Sequence, residues 1–166
     1  MIILGIDHGY AIVGIGVLEY KNGKFRPIEY NAITTSAQFS QSLRLKIIYE
    51  EIGAYLDKYT PSAVAIEELF FNSNQKTAIA VAQARGVLVA QTAVRGIPIY
   101  EYTPLQIKQS VTGYGRADKA QVQQMVKLLL GLNAIPKPDD AADAMAVAIC
   151  HAHSAKTNDI LGTNRL

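Results

Sequence analysis

Acidic side chains occur at three separated points of this 166-residue sequence, each at the edge of an apolar segment. Asp7 ends the first apolar run, and Glu67 and Glu68 end a second one. Asp140 and Asp143 lie far downstream, at the start of an alanine-rich segment. Carboxylates that meet in one place repel each other unless cations neutralise them. The pattern therefore predicts a shared site for Mg²⁺ or Mn²⁺, which prefer oxygen ligands.

The alternation of side chains along a β-strand indicates which of the upstream acids face the same side of the sheet. Side chains of a strand alternate between its faces, so Gly5 and Asp7 share one face of the first strand. Ala65 and Glu67 share a face in the same way, which favours Glu67 over Glu68 as the site residue. The small residues ahead of each acid would allow a helix to lie close over that face. The sequence therefore predicts that both acids point towards a helix.

The downstream acids belong to a predicted last helix at about residues 140–153. Asp140 and Asp143 are three residues apart and project from the same side of that helix. Asp139 is interpreted as its N-cap, with a carboxylate that accepts free backbone N–H groups. All three could instead complement the helix dipole. Together with the strand acids they favour a two-ion site, in which ions about 3.5–4 Å apart stabilise a phosphoryl displacement.

Composition indicates a globular chain that buries a full core. Hydrophobic residues make up 49% of the sequence and charged residues 18%, so burial can offset the ordering entropy. The length predicts one domain, placed at residues 1–153, followed by a polar tail at 154–166 without periodicity. The formal net charge of +2 is too small to indicate nucleic-acid binding by itself, because the local field matters more than the total.

Cysteine usage and hydropathy predict a cytoplasmic protein. The single cysteine, Cys150, excludes an internal disulfide and is typical of a reducing compartment. No stretch approaches the roughly 20 apolar residues that a membrane-spanning helix needs. The first residues have the pattern of a core strand rather than of a secretory leader.

The periodicity predicts the element order β-β-β-α-β-α-β-α-α-α. The strands are expected at residues 2–7, 12–18, 24–34, 63–67 and 97–102. The helices are expected at residues 38–59, 75–95, 103–112, 118–130 and 140–153. Hairpin-linked strands followed by alternating strands and helices predict an α/β fold. Its five-stranded mixed sheet has three antiparallel strands, then two parallel ones, with helices on both faces.

Five ordered blocks resemble the RuvC family of bacterial Holliday junction resolvases, within the RNase H-like superfamily. They cover residues 2 to about 153 and read GIDHG with GIGV, AIEELF, QARG, VTGYG and DAADA. The resemblance implies an RNase H-like fold and an endonuclease dependent on Mg²⁺, with two ions per active site and Mn²⁺ as a substitute. It implies a homodimer that nicks two opposed strands of four-way junction DNA symmetrically and leaves 5′-phosphates. It also implies association with the RuvA–RuvB branch-migration helicase.

The resemblance assigns roles to individual side chains. The implied catalytic and metal-binding acids are Asp7, Glu67, Asp140 and Asp143. Lysines near the scissile phosphate are implied at Lys108 and Lys119, although both could be ordinary solvated helix lysines. Phe70 aligns with an aromatic residue that stacks on an opened base, and such stacking is worth about 1–3 kcal/mol. Phosphate contacts, which position DNA without reading its sequence, are expected from Lys76, Arg85, Arg95 and Arg116.

The resemblance also bears on His8 and on the helix at 75–95. His8 stands where the family usually has proline, and it is either a loop histidine or a contact to a metal-bound water or phosphate. The helix at 75–95 corresponds to the helix that the family uses for dimerisation. Its stripe of mostly small residues comprises Ile79, Ala82, Gly86 and Ala90.

Other functions remain open at this stage. A non-catalytic junction-binding scaffold with the same fold would be expected to lose one or more acids, and all four are present. An RNase H-like nuclease for another branched nucleic acid would keep them. Actin-like and sugar-kinase ATPases also begin with a strand, an aspartate and a glycine hairpin. They need two such domains around the nucleotide, and 166 residues are too few for both.

Overall fold

The structure, a computed structural model, describes residues 1–69 and 75–166. It describes the side chains in these ranges except those of residues 75–77, 156 and 158–161. The strands are β1 Ile2–Asp7, β2 Ile12–Lys21, β3 Lys24–Thr34, β4 Ala63–Glu67 and β5 Ile99–Tyr102. The helices are α1 Gln41–Tyr59, α2 Gln75–Val94, α3 Pro104–Thr112, α4 Lys119–Leu129 and α5 Asp139–Leu161. The predicted element order is confirmed.

The strands form one mixed sheet in the order β3-β2-β1-β4-β5. The first three strands pair antiparallel, and β4 and β5 continue the sheet in parallel with β1. Asn22 and Gly23, with φ angles of 52° and 76°, make the tight turn between β2 and β3, since two-residue hairpin loops favour positive φ. Pro27 lies in the edge strand β3, beside a register shift in its pairing with β2. The predicted sheet is confirmed.

The two faces of the sheet carry different layers of the core. Leu4, Ile6 and Val64 belong to the cluster that includes Ile48 and Ile52 of α1. The opposite cluster combines side chains of β1, β2, β4 and β5 with side chains of α3, α4 and α5; its strand members are Ile3, Leu18, Ala63, Ala65, Tyr100 and Tyr102. The face that carries small residues is therefore the one covered by α5, as the alternation predicts.

Glycines in β1 and β2 let α5 approach the sheet very closely. A Cβ atom at Gly5 would lie 2.1 Å from the Ala144 carbonyl oxygen, and one at Gly14 would lie 2.0 Å from the Asp140 carbonyl oxygen. Carbon atoms cannot approach an oxygen so closely, so only glycine allows this packing. The start of α5 is thereby held over the ends of β1 and β2.

Capping residues fix the starts of the two short helices. The Thr103 side chain caps α3 and the Asp118 side chain caps α4, each in a capping box with a glutamine three residues later. These bonds satisfy backbone N–H groups that have no partner within the helix. Both predicted N-caps are confirmed, and the second one places Lys119 in the first turn of α4.

The last helix differs from the prediction at both ends. Asp139 is its first residue rather than its N-cap, and its carboxylate accepts a hydrogen bond from the Lys137 ammonium group at 2.5 Å. The helix continues to Leu161 instead of ending near 153. The segment 154–161 contains no proline or glycine, so the helix continues until Gly162, with a φ of 62°, provides the left-handed conformation that commonly ends helices.

The last residues return to the sheet after α5. Arg165 forms a bridge with Tyr100, and the Glu101 N–H donates to the Asn164 carbonyl oxygen at 2.7 Å. The C-terminal residues thus cover part of the β5 edge, which would otherwise present unpaired backbone groups. Within the described residues, no helix has the length and apolar character needed to cross a membrane.

Candidate active site

Two neighbouring strands deliver the first two predicted acids. Ile6 of β1 pairs with Ile66 of β4 in parallel register, and the next residue of each strand is an acid. Parallel strands end at the same edge of a sheet, so Asp7 and Glu67 leave the sheet side by side. Both side chains are partly buried. Across the other neighbour, Asp7 pairs with Gly14 of β2, the residue on which the first turn of α5 rests.

The first turns of α5 bring the remaining two acids to the same place. The Asp140 backbone lies against Gly14, opposite Asp7 in the β1–β2 pairing. One turn later, the Asp143 carboxylate accepts an ion pair from Lys119, with 2.7 Å between Oδ2 and Nζ. The structure therefore collects the four predicted acids from three elements at one edge of the sheet.

A cleft of about 200 Å³ opens beside these acids. Its charged lining residues are Glu67, Asp143, Lys108 and Lys119, and its apolar lining residues are Pro104, Ile107, Val122, Ala146 and Val147. The sequence identified the charged members but missed the apolar wall. The signal was present in the capping pattern, because the caps at Thr103 and Asp118 orient α3 and α4 so that these side chains face α5.

Burial and repulsion between carboxylates raise the proton affinity of Asp7, Glu67 and Asp143. Burial, followed by repulsion from Asp143, Glu67 and Asp140, raises the pKa of Asp7 from 3.8 to about 7. The pKa values of Glu67 and Asp143 are raised as well, in both cases mainly by burial. The four carboxylates are therefore close enough to repel each other, which is the electrostatic condition that a bound cation relieves.

The donor set fits hard divalent cations. All four side chains offer carboxylate oxygens, the ligands that Mg²⁺ and Mn²⁺ prefer. Within residues 1–69 and 75–166, no three Asp, Glu, His or Cys side chains already form a complete ligand group. The ammonium group of Lys119 pairs with the Asp143 carboxylate and supplies positive charge to this cluster of acids. A cation that replaces this contact would complete the neutralisation.

Both predicted lysines lie at the acids. The ion pair with Asp143 raises the pKa of Lys119. Lys108, on α3, lies close enough to Glu67 that its charge counteracts the burial that raises the pKa of that carboxyl. The two ammonium groups thus reach the cleft from different helices, and each is positioned to meet an anion that enters it.

His8, which follows β1, lies close to Arg85 of α2. Burial, and then the charge of Arg85, lower the pKa of His8 from 6.5 to about 4, so the imidazole is neutral at pH 7. Arg85 forms a half-buried ion pair with Glu101. The His8 Nδ1 and the Arg85 Nε are buried without a hydrogen-bond partner among the described atoms. Arg85 is thus held by a carboxylate instead of standing free as a surface cation.

The remaining predicted DNA contacts are placed differently. Arg116 is exposed on the loop between α3 and α4. Arg95 follows the last residue of α2 and pairs with Asp57 of α1, with 2.7 Å between Nε and Oδ1. Phe70 and the side chain of Lys76 lie outside the described residues. The structure therefore brings the four acids and two lysines together, but it does not gather the predicted arginines around them.

Comparisons with known proteins agree with this geometry. The model of the family described as crossover junction endodeoxyribonuclease RuvC matches residues 3–151. The protein of that name from Clostridioides difficile is 61% identical over 161 residues, covering 97% of this chain and 95% of the relative. The one from Ruminiclostridium cellulolyticum is 58% identical over 165 residues, with 99% of both chains covered.

Solved structures show the same architecture. Thermus thermophilus RuvC in complex with a Holliday junction substrate has a TM-score of 0.92 to this chain, at 36% identity, with 100% of this chain and 99% of the other covered. The predicted RNase H-like fold is confirmed by this likeness. The coverage extends over the strand ends and the helix that carry the four acids. The chain belongs to the RuvC family of crossover junction endodeoxyribonucleases.

Proposed function

We propose that this protein resolves Holliday junctions by cutting two opposed strands of four-way junction DNA with paired, symmetric nicks. The observation that carries the proposal is the convergence of Asp7, Glu67, Asp140 and Asp143 at one edge of the sheet, where burial and repulsion among the carboxylates raise the pKa of Asp7 to about 7. Such a cluster is costly without cations, so it is expected at a site that binds them. Family membership implies a divalent cation, and we propose Mg²⁺, with Mn²⁺ as a substitute.

The carboxylates would hold two ions, and the lysines would meet the DNA. Bound divalent ions would supply an activated water and stabilise the charge on the attacking and leaving oxygens. Asp7 and Glu67 extend from rigid strand ends, so their positions change little when DNA binds. Lys108 and Lys119 would offset the charge of the scissile phosphate as it develops in the transition state. Lys119 would exchange its contact with Asp143 for one with the phosphate.

Water is the proposed nucleophile, and no covalent enzyme intermediate forms. Hydrolysis that breaks the bond between the 3′ oxygen and phosphorus leaves 5′-phosphate ends. The apolar wall of Ile107, Val122 and Val147 limits water on one side of the cleft, which strengthens the electrostatic interactions inside it. Phe70 is proposed to stack on an opened base, and Lys76 and Arg116 to contact phosphates. Arg85 is also proposed to contact a phosphate, for which it would exchange its ion pair with Glu101.

A homodimer would place two such sites on one junction. The outer face of α2 is exposed and apolar, with Ile79 at 67% exposure and Val94 at 83%. Gly86 between them has open space above it, so a second helix could approach closely. A two-fold axis through this face would match the two-fold symmetry of a four-way junction. Association with the RuvA–RuvB complex in the cytoplasm is proposed from family membership.

A cleavage assay on a synthetic four-way junction tests the proposal. Wild-type protein and Asp7→Asn are incubated with junction and with linear duplex of the same sequence, with Mg²⁺, Mn²⁺ or a chelator. We expect paired, ligatable nicks in opposed strands of the junction, lost in Asp7→Asn while junction binding persists. Equal cutting of linear duplex would exclude junction selectivity. Binding without cutting by the wild type would instead indicate a scaffold.

A further inference from the structure

A second cavity lies next to the catalytic cleft, at the junction of α3 and α4. Its volume is about 480 Å³, within the range of about 300–1,000 Å³ that is common for small-molecule sites. Tyr114, Ala120 and Met125 give it apolar lining, and Gln121 and Gln124 give it amide groups. We call this cavity the Tyr114 pocket. An aromatic ring, an apolar floor and amide groups at the edge are the features that bind a nucleobase.

The loop that carries Tyr114 is fixed before any ligand arrives. Gly113, with a φ of 73°, caps α3 in the left-handed conformation. The Tyr114 N–H donates to Thr112 Oγ1 at 3.0 Å, and the Ala117 N–H donates to the Tyr114 carbonyl oxygen at 3.1 Å. The Tyr114 side chain is nevertheless 56% exposed. An exposed aromatic residue on a fixed backbone has only two side-chain torsions to order when it stacks on a ligand, so the cost in conformational entropy is small.

The pocket and the catalytic cleft share the first turn of α4. Lys119 and Val122 line the cleft, whereas the intervening Ala120 and Gln121 line the Tyr114 pocket. The two cavities are therefore separated by one helix, about 10 Å across with its side chains. Arg116 is exposed and lies between Tyr114 and Lys119 in the sequence, so it adds a positive charge beside the pocket. A strand whose phosphate lies at Lys119 would pass this loop.

We propose that the Tyr114 pocket binds one unpaired nucleobase of the DNA strand that enters the catalytic cleft. This inference rests on the proposed function, because only a junction or another opened DNA offers an unpaired base beside the cut. Tyr114 stacks on the base and Met125 packs against it. Arg116 contacts the adjoining phosphate, which positions the strand.

Hydrogen bonds at the rim would select the base. The Gln121 side-chain oxygen already accepts the Asp118 N–H at 2.9 Å, which leaves its amide N–H groups available to the ligand. Gln124 is exposed and can turn either its donor or its acceptor towards the base. The pocket therefore combines stacking, which every base accepts, with a selective edge. Gln124→Ala is expected to alter the preferred sequence at the cut more than the affinity.

Double-mutant cycles between protein and DNA test the pocket. Junction affinity is measured by fluorescence anisotropy without divalent ions, for intact junctions and for junctions with one abasic nucleotide at each position around the cut. We expect Tyr114→Ala to weaken binding by about 5- to 150-fold, as base–aromatic stacking of roughly 1–3 kcal/mol implies. One abasic position should abolish the difference between wild type and variant.

Matched variants separate stacking from structural damage. Tyr114→Phe keeps the ring and should retain affinity, whereas Ala120→Trp keeps Tyr114 but fills the pocket and should weaken binding like Tyr114→Ala. Tyr30→Ala removes another exposed tyrosine, 38% exposed on β3, and should leave affinity unchanged. Unchanged affinity in Tyr114→Ala, or a loss that no abasic position abolishes, would overturn the inference.

Two further measurements keep the inference distinct from the proposed function. Junction nicking by the wild type with Mg²⁺ is scored separately, and so is binding of a single-stranded oligonucleotide. Nicking that proceeds with the same affinity and sequence preference in Tyr114→Ala would leave the function and remove the pocket. Tyr114-dependent oligonucleotide binding without any nicking of junctions would leave the pocket and remove the function. Absence of both would overturn both.

Discussion

Asp7 is held at a free-energy cost that its function would explain. It is buried at the end of a central strand and repelled by three other carboxylates, so its pKa in the folded state is about 7 instead of 3.8. A carboxyl with a raised pKa binds more protons in the folded than in the unfolded chain. Stability therefore falls as pH rises from about 4 to about 7 and stays reduced above pH 7.

Asp7→Asn should consequently stabilise the metal-free protein at pH 8. The expected gain in the free energy of unfolding is about 2–4 kcal/mol, below the full linkage value because water reaches the site in part. Urea unfolding of wild type and variant in a chelator, at several pH values, gives the measurement. The gain should disappear near pH 4. The control Glu50→Gln alters an exposed acid of α1 and should show no such trend; a gain independent of pH would contradict the explanation.

Divalent cations should remove the same cost. A ligand that binds only the folded state stabilises it by mass action, by about 2.7 kcal/mol at one hundred times its Kd. We therefore expect excess Mg²⁺ to raise the Tm of the wild type well above that in a chelator, and to raise the Tm of Asp7→Asn much less. Differential scanning calorimetry at pH 8 measures both shifts. An equal shift in the two proteins would place the ions elsewhere.

At the scale of elements, the position of α5 depends on glycines that no side chain can replace. Gly14→Ala would place a Cβ atom 2.0 Å from the Asp140 carbonyl oxygen, so the helix must move away from β2. Overpacking of this kind typically costs about 1–3 kcal/mol. The displacement would also separate Asp140 and Asp143 from Asp7. We expect a loss of stability in urea and a loss of nicking of at least 100-fold, since misplacement by about 1 Å can cost that much.

A matched surface variant tests this explanation. Ala54→Ser adds one heavy atom at an exposed position of α1 and should preserve stability and nicking. Excess Mg²⁺ should stabilise Gly14→Ala less than the wild type, because the four acids no longer converge. Gly14→Ala could instead be destabilised and still nick fully in conditions where it is folded. That result would show that the close packing of α5 on Gly14 does not position the acids.

Much of the element layout could be predicted because it depends on local chemistry. The alternation of Gly5 with Asp7 identified the face under α5, and the caps Thr103 and Asp118 have their signals within four residues. The end of α5 could not be read from polarity, because residues 154–161 are polar yet contain no helix breaker. The role of Asp139 depended on Lys137, a choice between partners that spacing does not determine. The Tyr114 pocket needed the packing of two helices.

At the scale of the whole molecule, the exposed apolar surface of α2 is the place where a second copy is proposed to bind. The surface runs along α2 from Ile79 to Val94, with Gly86 between them and nothing within 4 Å of the position of its missing Cβ atom. Gly86→Glu therefore fits the monomer without a clash, and it replaces the least favourable helix former other than proline. Any effect on assembly would then arise at the surface and not from misfolding.

Gly86→Glu should prevent the proposed dimerisation and leave monomers that fold normally. A carboxylate placed in a close helix contact is desolvated and lies near its symmetry copy, which should weaken dimerisation by about 100-fold or more. Sedimentation velocity measures the change, with Leu128→Glu on the equally exposed surface of α4 as the control. A cruciform plasmid reports the consequence, because paired nicks in one binding event linearise it, whereas isolated nicks first give open circles. We expect open circles to accumulate with Gly86→Glu only. If Gly86→Glu remains dimeric, or linearises the plasmid as the wild type does, α2 is not the surface that pairs the two active sites.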